Sequence, residues 1–309
     1  MSKVQNGIAL ALLTAVISGF ANFVAKIGVT VSDPFIHTSL RVGIVALVLT
    51  AIVAKRYGLG VLGTYGKGDK IKLLFIGLLG GSIPFILFFV GLTQTSALSA
   101  SLIHKSLYIW VAFLAIFFLK EKLSFKQVLG YTVVLWGNLL LFKGGDFKLG
   151  TGELMILGAT LFWAVENVIA KLVLKRVPAL VVAWVRMSIG AVVISLTTLV
   201  LGKGSMFIGL SQPQILTVIV GATTLFLYVL TWYAALSLAP ATLVSALLVP
   251  ATLITSILSG IFITQTIASD QLLSGGFVVL GVLFIIVFSR YISLPKLRLS
   301  HLFHKRLSL

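Results

Sequence analysis

The chain alternates between apolar runs of about 20 residues and short connections that hold most of its charge. The runs lie near 7–30, 35–55, 71–93, 96–119, 124–143, 152–174, 178–201, 214–237, 241–263 and 270–291. Each is long enough to cross a hydrocarbon core of ~30 Å as a helix. Lipid offers no partner for an open backbone, so a helix is the only single-segment structure that can do so. The sequence therefore predicts an all-α membrane protein with ten transmembrane helices. Connections such as Thr93–Ser96 and Leu238–Ala241 are short enough to force antiparallel neighbours. No stretch has the length for a separate soluble domain.

Composition agrees: 10% of residues are charged, against about 25% in soluble domains. The apolar run from Gly7 is too long for a signal h-region and no A-x-A-like site follows it, so it reads as the first span. The chain has no cysteine, which excludes disulfides, thiolate metal sites and cysteine nucleophiles. A net charge of +17 would suit nucleic-acid binding, but its distribution argues otherwise. Of 24 Lys and Arg residues, 16 fall on one face of the ten-span arrangement and three (Lys143, Lys148, Lys203) on the other. The remaining five, Lys26, Arg41, Lys105, Lys171 and Arg186, fall inside spans or at their ends. This bias predicts that both termini are cytoplasmic. Residues 293–309 form a basic cytoplasmic tail, which either rests on anionic lipid or only fixes the orientation.

A shift of 145 residues brings Gly7, Asn22, Ala25, Lys26 and Arg41 onto Gly152, Asn167, Ala170, Lys171 and Arg186. Later in each half a shift of 144 brings Leu92 onto Leu236 and Glu121 onto Gln265. Apolar coincidences mean little in such a chain, but polar residues are rare in spans and costly there. The pattern predicts two repeats, 1–145 and 146–292, of five spans each. An odd count makes the second repeat enter the membrane in the opposite sense, as in many secondary transporters.

These features resemble the EamA-type branch of the drug/metabolite transporter superfamily. The resemblance rests on ten spans, a duplicated five-helix unit, the Asn-x-x-Ala-Lys ending of spans one and six, the Ala235–Ala241 turn, Pro250, and Lys120-Glu121-Lys122. It implies a carrier whose cavity is lined by spans three, four, eight and nine, with one and six contributing. The halves differ there: Ser96 and Ser106 stand opposite Pro240 and Pro250, and His104-Lys105 opposite Leu248-Val249.

Several residues could carry chemistry. Lys105 lies about nine residues into span four, roughly 13 Å deep, where an ammonium needs a cavity or a partner. His104 adjoins it, and Tyr108 is three residues on, near the same helical face. Lys105 reads either as an anion-binding group or as the ion-pair partner of Glu166. Glu166 is the only acid deep in a span, so it is either a proton-coupling group or counter-charge for an amine, or it merely neutralises Lys105 or Lys171. Lys26, Arg41, Lys171 and Arg186 lie toward span ends, where they can snorkel or cap helix carbonyls. Asn22 and Asn167 are expected to bond between helices, with substrate contact the alternative. Trp110, Trp163, Tyr228, Trp232 and Tyr233 lie inside spans, as cavity lining or as ordinary packing. Tyr228 and Trp232 are four apart and share a face. Pro84, after Gly80-Gly81, and Pro250 fall mid-span and should break their helices, as hinges or as tolerated kinks.

The function this predicts is secondary transport of a small metabolite, amino acid or drug across the cytoplasmic membrane by alternating access. Proton or exchange coupling and a homodimer are compatible with it. No cofactor, metal or nucleic acid is expected, and no G-x-x-x-x-G-K-[ST] loop suggests ATP hydrolysis. The alternatives are an intramembrane enzyme or a channel-like protein built on Lys105 and Glu166. His37, His104, His301 and His304 show no metal-ligand spacing inside a span.

Overall fold

The computed structural model describes residues 2–92, 94–95, 97–140, 150–266 and 269–289. Among the described residues thirteen α-helices follow one another, with three short 3-10 or π segments beside them and no strand. They are α1 (Lys3–Val31), α2 (Pro34–Tyr57), α3 (Lys67–Gly81), α4 (Ile83–Leu92), α5 (Ala97–Lys105), α6 (Leu107–Phe118) and α7 (Phe125–Leu139). Then come α8 (Thr151–Val173), α9 (Ala179–Val200), α10 (Gln212–Leu238), α11 (Ala241–Leu247), α12 (Ala251–Ser259) and α13 (Ser269–Val287). Local signals set several starts. Ser2 with Gln5, and Ser124 with Gln127, form capping boxes at α1 and α7. Asp33 caps α2 by accepting from the N–H groups of Phe35 and Ile36, with Pro34 in the first turn.

Eight stretches among the described residues are helical, long and apolar enough to cross a membrane, and Ile103–Phe118 is a shorter apolar one. The expected fifth span appears as α7, 15 residues long, and its run continues into 141–143, outside the described residues. The end of the tenth span and the basic tail also lie outside them.

Three expected spans are broken, which is why thirteen helices replace ten runs. Ser82 (φ −135°, ψ −75°) separates α3 from α4, two residues before Pro84. Residues Leu248 to Pro250 separate α11 from α12. The breaks expected at Pro84 and Pro250 are thus present. A third, at Ser106 between α5 and α6, was not expected. No proline causes it. Instead the Ser106 hydroxyl donates to Ile103 O (2.6 Å), the kind of local bond that competes with helix. Ser106 is the residue that a 144-residue shift places on Pro250.

The outward faces carry large apolar side chains, such as Leu47, Phe125 and Val200, that lipid covers without cost. Between helices, small residues permit close approach. At α3–α9, a Cβ on Gly81 would lie 2.3 Å from Arg186 O, and one on Gly190 would lie 2.5 Å from Gly81 O. α1 packs along α10, and α8 along α3 and α4; α2 packs on α9, and α7 on α13.

Candidate functional site around the broken third helix

Proline has no N–H, so Pro84 leaves the carbonyl of Gly80, four residues earlier, without its helical partner. Two side chains from other helices fill that role. Trp163 of α8 donates through Nε1 (3.1 Å) and Arg186 of α9 through Nη2 (2.9 Å). Glu166, one turn beyond Trp163, accepts from the Tyr233 hydroxyl of α10 at 2.6 Å. An added Cβ on Gly80 would meet Glu166 Cγ at 2.6 Å and Arg186 Nε at 2.8 Å. Carboxylate and guanidinium therefore flank one glycine, within electrostatic reach of each other. Both are buried, at 2% and 6% exposure, where charges persist only when paired and hydrogen-bonded.

An aromatic wall adjoins this node. The Trp163 ring meets His104 of α5 (4.9 Å), Phe85 (5.4 Å) and Phe88 (5.9 Å) of α4. His104 also meets Phe88 at 5.4 Å. On α10, Tyr228 stacks on Trp232, with centroids 6.1 Å apart and planes 9° from parallel. Tyr228 lies close enough to Arg186 to feel its charge. The shared face expected for these two residues is present.

Other expectations need correction. Lys105 does not pair with Glu166. It lines a narrow recess with Thr252 and Ser256 of α12 and Gln271 and Ser274 of α13. Tyr108 does not accompany it, because the helix ends at Lys105 and restarts after Ser106, so three-residue spacing no longer defines a face. Tyr108 packs instead on the Tyr131 ring at 5.5 Å. Asn167 bonds within its own helix, to Trp163 O (2.8 Å), and Asn22 is exposed on α1. Arg186 does not snorkel: it sits seven residues into α9, about 10 Å along the axis. Its depth was readable from its place within the apolar run Ala179–Val200; Tyr233 reads as an aromatic inside a span, but nothing in the spacing points to its bond with Glu166.

Lys171 behaves as one reading expected, capping helix carbonyls, though those of another helix. Its ammonium donates to Leu236 O (2.6 Å) and Ala239 O (2.7 Å) at the end of α10. Glu121 completes the turn from the other side, accepting from Ala241 N (2.8 Å), Thr242 N (2.9 Å) and Thr242 Oγ1 (2.7 Å). The α10–α11 turn is held by a cation on its carbonyls and an anion on its amides, as the helix dipole favours. The side chain of Lys26 lies outside the described residues. Among the described residues, no group of three His, Cys, Asp or Glu could hold a metal.

The EamA-like transporter family matches the sequence twice, at residues 5–143 and 150–287. The chain belongs to this family. An EamA-like chain of this kind has relatives described as transporters. It is 29% identical over 142 residues to an "Uncharacterized transporter" of Methanothermobacter thermautotrophicus, covering 44% of this chain and 41% of the relative. It is 27% identical over 195 residues to the "Uncharacterized transporter YyaM" of Bacillus subtilis, covering 61% and 63%. It is 28% identical over 177 residues to the "Uncharacterized inner membrane transporter YhbE" of Escherichia coli, covering 55% of each. The matched region thus spans about half the length of these curated relatives. A solved structure described as "Crystal structure of protein" superposes with TM-score 0.76 at 20% identity, over 92% of this chain and 97% of that one, which speaks to fold alone. The described residues of this chain carry eight helices long and apolar enough to cross a membrane, as a multi-pass member of the EamA-like family would.

Proposed function

We propose that this transporter is a secondary carrier for a small metabolite, amino acid or drug, working by alternating access in the cytoplasmic membrane. Its ten spans form two inverted repeats, 1–145 and 146–292, with both termini cytoplasmic. The packing supports this reading. The pairing of α1 with α10 recurs, with halves exchanged, as that of α8 with α3 and α4. Gly7 packs against Leu238 and Ala239, while its repeat counterpart Gly152 packs against Gln94. Connections that touch belong to one face of the ten-span arrangement. Asp33 meets Lys203 (2.6 Å), Gln214 donates to Val31 O (2.9 Å) and Thr95 donates to Glu153 on the outer side. Arg176 meets Asp69 (3.8 Å) and Glu121 holds Ala241 on the inner side.

The observation that carries the proposal is the Gly80 carbonyl, freed by Pro84 and held by Trp163 and Arg186 beside Glu166. These bonds join three helices, α3, α8 and α9, so motion of α3–α4 against α8 and α9 must break or remake them. Protonation of Glu166 weakens its hold on Tyr233 and Arg186, which couples that motion to a proton. Lys105, in its recess against α12 and α13, is a contact for an acidic part of the substrate.

The test uses purified protein and a panel of amino acids, organic acids, phosphorylated metabolites and amines. A ligand that raises the melting temperature is then assayed for uptake into proteoliposomes with and without a pH gradient. Gradient-driven uptake by wild type, with exchange alone surviving in Glu166→Gln, supports the proposal. Uptake by Glu166→Gln that still follows the gradient overturns the coupling role.

A further inference from the structure

A second cluster of buried polar groups lies where α1, α2 and α10 meet, apart from the Gly80 node. His37 is 1% exposed, and neither ring nitrogen has a hydrogen-bond partner. The Thr38 hydroxyl and Arg41 Nε are also buried and unpartnered. His37 and Arg41 are one helical turn apart on α2 and so share a face. Two glycines make room for them. A Cβ on Gly28 of α1 would fall 2.3 Å from His37 Cε1, and one on Gly221 of α10 would lie 3.6 Å from His37 Nε2 and 3.7 Å from Arg41 Cδ.

The repeat shows what is missing. The 145-residue shift that brings Arg41 onto Arg186 brings Ala21 onto Glu166. Arg186 has an acceptor in Gly80 O and a carboxylate beside it. Among the described residues no acceptor or neighbouring carboxylate is recorded for Arg41, and none of their carboxylates is at liberty to serve it. Asp33 is held by Lys203, Asp69 by Lys72 and Arg176, Glu121 by the α11 amides, Glu153 by Thr95 and Glu166 by Tyr233. Asp270 is engaged as well. A partly buried guanidinium in a membrane span, beside an imidazole with two idle nitrogens, lacks only an anion.

We propose that Arg41 and His37 bind the carboxylate of a small-molecule ligand. The guanidinium fork matches a carboxylate bidentately. One imidazole N–H and the Thr38 hydroxyl supply further donors. The second repeat carries its own counter-ion in Glu166, and the first takes it from the ligand. This site is independent of whether Glu166 couples a proton.

The experiment measures thermal stabilisation and equilibrium binding of detergent-purified protein with amino acids and mono- and dicarboxylic acids. The matching methyl esters or amides, and inorganic phosphate, serve as comparisons. A carboxylic acid should raise the melting temperature by several degrees while its ester or amide does not. The shift should vanish in Arg41→Met and His37→Gln and persist in Lys122→Met, a change at an exposed lysine with no place in either site. Arg41→Met alone should be no less stable than wild type, since it removes an unpaired charge; a purely structural arginine would lower it. Should Arg41→Met fail to fold, Arg41→Lys keeps the charge but loses the fork and should bind at least tenfold more weakly. Four results would overturn the proposal: no acid shifting the wild type, an equal shift from phosphate, unchanged binding in Arg41→Lys, or loss of the shift in Lys122→Met as well.

Discussion

At the residue scale, a few buried polar groups carry the account, and each has a partner that can be removed. Asp33 is the clearest case at the edge of the membrane. Burial raises the affinity of its carboxyl for a proton. The hydrogen bond from Lys203 and those from the N–H groups of Phe35 and Ile36 outweigh this and hold the carboxyl below the usual carboxylate range. A carboxylate whose folded pKa is depressed adds stability above its unfolded value and loses it as pH falls through the folded one. Thermal unfolding in detergent should therefore show wild type losing its advantage over Asp33→Asn on the acid side of ~pH 4, with the advantage intact at neutral pH. An advantage that persists at pH 2 would contradict the assignment. The chemistry at Glu166 was half legible in the sequence. Its isolation as the only deep acid marked it, but its partners come from α9 and α10 and cannot be read from spacing. Lys105 was the most plausible partner by depth alone. It faces α12 and α13 instead, because the chain turns at Ser106.

At the scale of elements, the helix breaks and the tight crossings make distinct predictions. Gly81→Ala places a methyl against the Arg186 carbonyl, backbone that cannot step aside, whereas Gly80→Ala meets side chains of Glu166 and Arg186. Overpacking of this kind costs about 1–3 kcal/mol. Gly81→Ala should lie at the upper end in thermal unfolding, and Gly80→Ala should lie lower. The opposite order would mean that the α3–α9 crossing is looser than described. At the α10–α11 turn, Glu121→Ala removes the acceptor for three donors and should cost about 1–2 kcal/mol, as loss of a helix cap does. A neutral Glu121→Ala would show that the turn holds without it. The sequence revealed the breaks at Pro84 and Pro250 because proline has a backbone signature of its own. The break at Ser106 has none: serine breaks a helix only when its hydroxyl finds a local carbonyl, here Ile103 O, and that choice depends on tertiary packing.

For the whole molecule, the apolar runs made the all-α class and eight helices of membrane-crossing length readable, since lipid imposes length and helicity on each run. Pairing between helices was less readable. Only the recurrence of Asn, Lys and Arg at a fixed shift hinted at it, and that recurrence is imperfect where the halves diverge, as at Glu166 and Ala21. The central claim is that five spans precede the second repeat, so that its start faces away from the N-terminus. Single cysteines in this cysteine-free chain test it directly. Ser2→Cys, Gly68→Cys, Gly150→Cys and Ser205→Cys are expressed in intact cells and exposed to a membrane-impermeant thiol reagent. The account predicts labelling of Gly150→Cys and Ser205→Cys from outside, and of Ser2→Cys and Gly68→Cys only after permeabilisation. Labelling of Ser2→Cys and Gly150→Cys from the same side would contradict the inverted repeat.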